Sequence, residues 1–88
     1  MSSSYEIVLH PRAQRELDKL PTDVFPRIDR AILELGRSPR PFGVKKLDDD
    51  LHRIRIGNWR VIYAILDRNK RVVILQVACR NERTYRGW

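Results

Sequence analysis

The sequence predicts an α+β fold in the order β-α-α-β-β-β, in which the last three strands form an antiparallel meander and the helices cover one sheet face. All five prolines of the 88-residue chain precede residue 42, whereas from Leu51 onward the apolar residues follow a two-residue period. Proline punctuates helices and turns, and a two-residue period is typical of strands with one buried face. A chain of this length has room for one hydrophobic core, so we expect a single domain over residues 1–88.

The predicted first strand and first helix occupy the N-terminal twenty residues. The strand covers Tyr5–Leu9 and ends before Pro11, because proline cannot continue a ladder but suits the first turn of a helix. In the helix that follows, Ala13, Leu17 and Leu20 form one apolar stripe. The solvent-facing positions are predicted to be Arg15, Glu16, Asp18 and Lys19, and Pro21 ends the helix.

A second helix is predicted over residues 22–36. Thr22-Asp23 is a good N-cap pair, and Gly36 is the expected left-handed residue after the C-terminus. Pro26 fits only a first helical turn, so a start at Pro26 itself is the alternative. The apolar stripe is Phe25, Ile28, Ile32 and Leu35. Residues 37–50, which include the acidic run Asp48-Asp49-Asp50, are predicted to form a loop.

Three strands are predicted in the C-terminal half. Leu51–Ile56 and Trp59–Leu66 flank Gly57-Asn58, a two-residue signal of the kind that closes a hairpin. A turn at residues 67–70 then leads into Arg71–Cys79. The first strand is expected to join this sheet, but two helices separate it from the meander and the pattern does not identify its neighbour.

The hairpin turn determines where three arginines point. With Gly57-Asn58 as the turn, Arg55 lies opposite Arg60, and alternation places both on one face with Arg53. The other face receives Ile54, Ile56, Trp59, Val61 and Tyr63. Like charges directly opposite each other destabilise a hairpin, so fold stability alone does not select this arrangement. Either the guanidinium groups spread into water, or they converge on an anion such as a backbone phosphate.

The whole positive charge excess lies in the C-terminal part of the chain. The net charge is +7, and residues 51–88 hold nine of the basic residues against only Asp67 and Glu82. Eight of these nine are arginines, whose planar fork suits bidentate contact with phosphate. This distribution favours nucleic acid as a partner. The alternative is a solvated basic surface that aids solubility.

Several classes of protein are not indicated by the sequence. The longest apolar runs are far shorter than the roughly 20 residues of a membrane span, and the N-terminus lacks the pattern of a secretion signal. We therefore expect a cytoplasmic protein with no membrane partner. Cys79 is the only cysteine, and His10 and His52 stand at no recognisable ligand spacing. We expect neither a disulfide nor a metal, and no cofactor.

The segment Leu51–Tyr63, with the sequence LHRIRIGNWRVIY, resembles the RelE/ParE superfamily of bacterial and archaeal type II toxins. Tyr5–Leu9, Lys46-Leu47 and the tail Arg80–Tyr85 stand in the family's order, so the resemblance covers nearly the whole chain. It implies a twisted antiparallel sheet packed on two N-terminal helices. It also implies a ribosome-dependent mRNA endoribonuclease, with the ribosome, mRNA and a cognate antitoxin as partners. We expect the antitoxin to neutralise or displace the tail around Arg80–Tyr85.

The resemblance also implies roles for particular residues. Arg53 and Arg55 match the basic pair of the first hairpin strand, Arg60 matches the arginine before Val-Ile-Tyr, and Tyr85 matches a tyrosine near the C-terminus. Many relatives carry a basic residue four positions before that tyrosine, where this chain has Asn81. The catalytic candidates are Arg60, Tyr85, Arg80 and Arg83, of which Arg80 and Arg83 are the nearest substitutes for the missing basic residue. The RNA-binding candidates are Arg53, Arg55, Lys45 and Lys46.

RNA cleavage by a 2′-hydroxyl needs a base, cations that stabilise the phosphate, and an acid for the 5′ oxygen. Arginine is a poor proton carrier, since its pKa exceeds about 12, so the arginines are expected to stabilise charge and position RNA. Tyr85 is either the base, with a pKa lowered by nearby arginines, or a stacking platform for a nucleobase. His52 alternates with Arg53 and is expected to pack toward the helices.

Two other functions compete with this prediction. Toxins of the ParE type resemble the predicted protein in fold, but they poison DNA gyrase and do not cut RNA. A basic nucleic-acid-binding module with no activity of its own is the third hypothesis. The three hairpin arginines and the tail with Arg80, Arg83 and Tyr85 favour the nuclease.

Overall fold

A computed structural model of the chain describes residues 4–79, which form two helices and one five-stranded sheet. The elements are β1 (Glu6–Leu9), α1 (Pro11–Asp18), α2 (Phe25–Leu35), β2 (Lys45–Lys46), β3 (Leu51–Ile56), β4 (Trp59–Leu66) and β5 (Arg71–Cys79). The sheet order is β1-β5-β4-β3-β2. Arg80, Arg83 and Tyr85, and with them the expected antitoxin contact, lie outside the described residues.

The sheet is mixed, whereas a wholly antiparallel sheet was expected. The meander β3-β4-β5 is antiparallel with the predicted bounds, but β1 runs parallel to β5, with Ile7 opposite Val72. A parallel neighbour needs a long crossover, and the two helices that separate β1 from the meander supply it. The α+β class is confirmed, and the direction of β1 differs from the expectation.

The predicted loop over residues 37–50 contains the short strand β2. Lys45 pairs with Arg53 and Lys46 pairs with His52, so β2 extends the antiparallel sheet beyond β3. Two lysines carry no hydrophobic alternation, which is why the sequence pattern does not show this strand. Asp48, Asp49 and Asp50 lie exposed in the connection to β3.

Helix α1 begins as predicted and ends earlier. Pro11 occupies its first turn, and the His10 Nδ1 accepts a hydrogen bond of 3.1 Å from the Arg12 backbone N–H. The helix ends at Asp18, but Leu20 still packs against the core. The predicted apolar stripe therefore survives, with its last residue just beyond the helix.

Helix α2 begins and ends differently from the prediction. Its N-cap is Val24, which makes no side-chain cap, so the predicted cap at Thr22-Asp23 is wrong. Pro26 lies in the first turn, where its missing N–H costs nothing. Gly36 follows the helix with a right-handed φ of −66°, so the left-handed conformation expected there is also wrong.

Gly36 has a different structural reason, which is the close approach of β1. Its carbonyl accepts a hydrogen bond of 2.7 Å from the Tyr5 backbone N–H. A Cβ at this position would lie 3.0 Å from the Tyr5 carbonyl oxygen and 3.3 Å from that of Leu33. Glycine therefore lets the end of α2 contact the start of β1 backbone to backbone.

The hydrophobic core lies between the helices and one face of the sheet. The helices contribute Ala13, Leu17, Val24, Ile28, Ile32 and Leu35, and the sheet contributes Ile54, Val61, Tyr63, Ile65, Val72, Ile74 and Val77. His52 is buried on this face, as predicted, with its ring stacked on Tyr63 at 5.9 Å between centroids. Its Nδ1 lies 3.1 Å from the Asp50 carbonyl oxygen, which can only accept, so that nitrogen carries the proton.

A β-bulge interrupts the ladder between β4 and β5. Ile62 pairs with Gln76 and Tyr63 pairs with Ile74, so Leu75 is an extra residue. The bulge keeps Ile74 and Val77 both on the core side, although they are three residues apart.

Glu16 of α1 holds the strand just beyond the bulge. Its Oε1 accepts a hydrogen bond of 2.7 Å from the Val77 backbone N–H, and its Oε2 accepts one of 3.1 Å from the Arg12 Nε. The prediction of a fully solvent-facing Glu16 is therefore wrong, because the carboxylate is half-buried against β5.

A polar network joins the loop after α2 to the end of the sheet at the β4–β5 turn. Asp67 accepts a hydrogen bond of 2.6 Å from the Tyr5 hydroxyl and forms an ion pair of 2.9 Å with Arg40. The Arg40 bond, followed by that from Tyr5, holds the pKa of Asp67 below its ordinary value. The Tyr63 hydroxyl donates 2.7 Å to the Pro39 carbonyl, and burial raises the pKa of Tyr63 to about 12. Within residues 4–79, neither helix has the length and apolar character to cross a membrane.

Candidate nucleic-acid interface

The β3–β4 hairpin has the predicted turn and register. Gly57 adopts a φ of +64°, whereas Asn58 has no positive φ, which is the pattern of a type II′ turn. Ile56 pairs with Trp59 beside the turn, and Arg55 pairs with Arg60 one step further along. This confirms the register from which the positions of the arginines were inferred.

Arg53, Arg55 and Arg60 share the sheet face opposite the helices, which we term the arginine face. Their neighbours along the strands, Ile54 and Val61, are buried in the core, so the alternation of faces is as predicted. Residues directly opposite across a ladder have Cβ atoms about 4.5–5.5 Å apart. The Arg55 and Arg60 side chains therefore leave the sheet side by side.

The two lysines of β2 divide between the two faces. Lys45 pairs with Arg53 and so extends the arginine face by one cation, whereas Lys46 pairs with the core residue His52 and lies on the helix side. The structure thus brings four of the predicted site residues together, namely Lys45, Arg53, Arg55 and Arg60. It does not bring Lys46 to the same face.

Arg53 lacks a compensating anion in the part of the chain that the structure describes. The side-chain pairs there join Arg12 to Glu16, Arg40 to Asp67 and Arg71 to Glu6. The Arg53 Nε is buried and has no hydrogen-bond partner among residues 4–79. An N–H donor held in this way is expected to acquire an acceptor when the surface is occupied, and a phosphate oxygen is a suitable one.

The C-terminal tail begins next to the arginine face. Ala78 pairs with Arg60 and Cys79, the last described residue, pairs with Trp59. The tail candidates Arg80, Arg83 and Tyr85 follow within six residues of that point. Their participation in the site stays a prediction.

Arg27 is a basic residue at the hairpin that sequence reasoning missed. Its Nη2 lies 2.8 Å from the position that a Cβ on Gly57 would occupy, so the guanidinium rests against the turn. No sequence signal indicates this contact, because Arg27 and Gly57 are thirty residues apart and only the packing of α2 brings them together.

Comparison with known proteins shows the family. The family described as "ParE toxin of type II toxin-antitoxin system, parDE" matches residues 7–84. The chain belongs to the RelE/ParE superfamily of type II toxins. The resemblance inferred from Leu51–Tyr63 is thereby confirmed.

Individual relatives agree with this assignment. A protein of Methanocaldococcus jannaschii, provisionally named toxin RelE1, is 30% identical over 94% of this chain and 97% of its own length. The archaeal RelE–RelB complex from Pyrococcus horikoshii matches with a TM-score of 0.81 and 30% identity, over 90% of this chain and 98% of that one. The isolated E. coli RelE toxin matches in fold, with a TM-score of 0.78 and 24% identity, over 96% and 94% of the two chains. The α+β fold is that of RelE toxins.

Metal ligands do not cluster in the described part of this toxin. Among residues 4–79, no three His, Cys, Asp or Glu side chains come together in a group that could hold an ion. The side chains of the arginine face are cationic, and they can bind, orient and neutralise an anion.

Proposed function

We propose that this RelE/ParE-superfamily toxin is a ribosome-dependent endoribonuclease that cuts mRNA and uses the arginine face to hold the scissile phosphate. The observation that carries the proposal is the Arg55–Arg60 cross-strand pair, flanked by Arg53 and Lys45. Because the Arg55 and Arg60 side chains leave the sheet side by side, both guanidinium groups can contact the same phosphate.

The proposed reaction is an internal transesterification of RNA. The 2′-hydroxyl oxygen attacks the adjacent phosphorus, its proton passes to a base, and the P–O5′ bond breaks. The departing 5′ oxygen takes a proton from an acid, which leaves a 2′,3′-cyclic phosphate and a 5′-hydroxyl end. Negative charge on the non-bridging oxygens grows in the transition state, and fixed cations stabilise that charge.

The residues divide between charge stabilisation and proton transfer. Arg60 is proposed to contact the scissile phosphate, with Arg53, Arg55 and Lys45 along the neighbouring backbone. Guanidinium groups stay protonated and cannot serve as the base. Tyr85 is proposed as the base or as a platform that stacks on a nucleobase, and Arg80 and Arg83 as further cations of the tail.

An antitoxin is the second proposed partner, beside the ribosome and its mRNA. The solved relatives include complexes of RelE with RelB from Pyrococcus horikoshii and Methanococcus jannaschii. We propose that a cognate antitoxin binds this chain and neutralises the basic tail at Arg80–Tyr85. A complex in which this surface stays exposed would contradict that part of the proposal.

Inhibition of DNA gyrase is the alternative function. The family that matches residues 7–84 is described as that of ParE toxins. This match is the observation that supports the alternative. A gyrase inhibitor needs no 2′-hydroxyl in its target and would leave mRNA intact.

Induction of the toxin in cells separates these functions. Wild type, Arg60→Ala and the control Arg68→Ala, at an exposed residue of the opposite β4–β5 turn, are induced, and RNA 5′ ends and plasmid supercoiling are measured. The proposal predicts new 5′-hydroxyl ends within coding regions for wild type and Arg68→Ala, and their loss in Arg60→Ala. Growth arrest with intact mRNA and altered supercoiling would assign the gyrase function instead.

A further inference from the structure

We propose that Arg27 and Arg30 of α2 form a second RNA-backbone contact, which continues the arginine face around the tip of the β3–β4 hairpin. We term these two residues the tip surface. The inference rests on the proposed function only in naming RNA as the ligand. It adds a surface on the helix side of the molecule, whereas the arginine face lies on the opposite side of the sheet.

The first observation is the position of Arg27. Its Nη2 would contact a Cβ on Gly57 at 2.8 Å, so the guanidinium lies directly over the turn. Arg55 precedes Gly57 by two residues, a distance of about 7 Å along a strand. Cations from α2 and from the sheet therefore border the same turn from its two sides.

The second observation is that the helix presents two arginines together. Arg27 and Arg30 are three residues apart, which places them on one side of α2, and both are exposed. With Pro26 they line a surface depression of about 310 Å³. Two neighbouring cations on one side of a helix can contact neighbouring phosphates of one strand.

The third observation is that these arginines are not used within the described fold. Among residues 4–79 neither side chain takes part in an ion pair or hydrogen bond, and Glu34, four residues after Arg30, is not within ion-pair distance. Arg27 lies in the first turn of α2, near the positive end of the helix dipole, where a cation is unfavourable. Local stability does not account for them, whereas a polyanionic ligand does.

An RNA backbone is the partner that fits this geometry. The tip surface and the arginine face are joined by the turn, so a chain of phosphates can pass from one to the other. The acidic residues nearest in the α2 sequence, Asp23 and Asp29, are not paired with the two arginines and leave their charge uncompensated.

Salt-dependent binding tests the proposal on the full-length chain without cleavage. The probe is a fluorescent 16-nucleotide RNA with 2′-O-methyl groups at every position, which lacks the attacking hydroxyl, and anisotropy is measured between 50 and 300 mM KCl. Each phosphate contact contributes about −0.7 to the slope of log K against log[salt] for a single strand. Arg27→Ala/Arg30→Ala should therefore flatten the slope by about 1.4 and weaken binding at 100 mM KCl about 25-fold.

The matched control removes the same charge from α1 and its C-cap residue, at Arg15 and Lys19. Arg15 and Lys19 are exposed. Helix α1 packs against β1 and β5, which lie toward the edge of the sheet that is opposite the β3 and β2 edge. Arg15→Ala/Lys19→Ala should bind within about 3-fold of wild type, and circular dichroism should show both double variants folded. If RNA binding is weakened equally in the two double variants, the effect is one of net charge alone and the proposal is wrong.

Two further outcomes distinguish the possible failures. If the tip variant keeps RNA binding but loses binding of a polyglutamate peptide, the surface serves an acidic protein partner and the proposal is wrong. If wild type fails to cut mRNA on ribosomes yet the tip variant shows the flattened slope, the proposed nuclease function fails while the tip surface stands.

Discussion

Replacement of Glu16 by alanine is expected to destabilise the fold more than replacement of an exposed helix residue normally does. Glu16 accepts a 2.7 Å hydrogen bond from the Val77 backbone N–H, at a residue that is 3% exposed. A hydrogen bond to a charged group contributes roughly 1.5–3 kcal/mol, and the loss leaves a buried donor unsatisfied. The partly exposed Arg12–Glu16 ion pair adds no more than about 0.5 kcal/mol.

The expected cost of Glu16→Ala is therefore roughly 2–3 kcal/mol in the free energy of unfolding. In a domain of this size, that corresponds to a decrease in Tm of roughly 10–20 °C. Glu16→Gln keeps an acceptor oxygen and should lose only about half as much. Arg12→Ala, which removes the ion pair but leaves the bond to Val77, is the control and should cost about 0.5 kcal/mol or less.

Urea denaturation followed by circular dichroism measures these differences, and amide hydrogen exchange at Val77 reports on the bond itself. The reasoning is refuted if Glu16→Ala and Arg12→Ala are equally stable. The bond from Val77 also bears on the arginine face. Val77 pairs with Val61, and the next residue, Ala78, pairs with Arg60.

Three further results are expected. Gly36→Ala should destabilise by roughly 1–3 kcal/mol in thermal denaturation, because its Cβ would lie 3.0 Å from the Tyr5 carbonyl oxygen; a stabilised variant would disprove the close-approach argument. Tyr63→Phe should cost about 1 kcal/mol at pH 7 through loss of the bond to the Pro39 carbonyl. Burial raises the pKa of Tyr63 from 10.0 to about 12, so its stabilising contribution is full below pH 10 and is lost as the pH rises toward 12. Denaturation at several pH values should show this loss of stability in wild type and not in Tyr63→Phe. Since Arg40 lowers the pKa of Asp67, the contribution of Asp67 to stability should be present above its unfolded pKa and lost as the pH falls through its folded pKa. Asp67→Asn should therefore make the free energy of unfolding fall less steeply at acidic pH. An unchanged acid dependence would contradict the network around Asp67.

The meander was predictable because its pattern is local. In β3 and β4 the apolar residues alternate, one face is buried, and the turn at Gly57-Asn58 leaves a single register. These local features are sufficient to place Arg55 opposite Arg60. Positions that depend on distant contacts were not predictable. Gly36 is required by the close approach of Tyr5, thirty-one residues away, and Glu16 is held by the backbone N–H of Val77, sixty-one residues away.

The candidate site was predicted in the same uneven way. The three arginines follow from alternation in the hairpin, whereas Lys45 and Lys46 form a two-residue strand that has no recognisable pattern and places them on opposite faces. Arg27 reaches the turn only because α2 packs across the sheet. A side chain that joins a site from another element carries no signal in the spacing of its neighbours.

The most direct test of the nuclease function is the single-turnover rate of mRNA cleavage on programmed ribosomes with purified wild type, Arg60→Ala and Arg68→Ala. Loss of one donor that stabilises transition-state charge typically lowers the rate by about 10²–10³-fold. We expect a decrease of that size for Arg60→Ala, a rate near wild type for Arg68→Ala, and 5′-hydroxyl ends on the product. Equal rates for wild type and Arg60→Ala, with both proteins folded, would contradict the assignment of the arginine face as the site of cleavage.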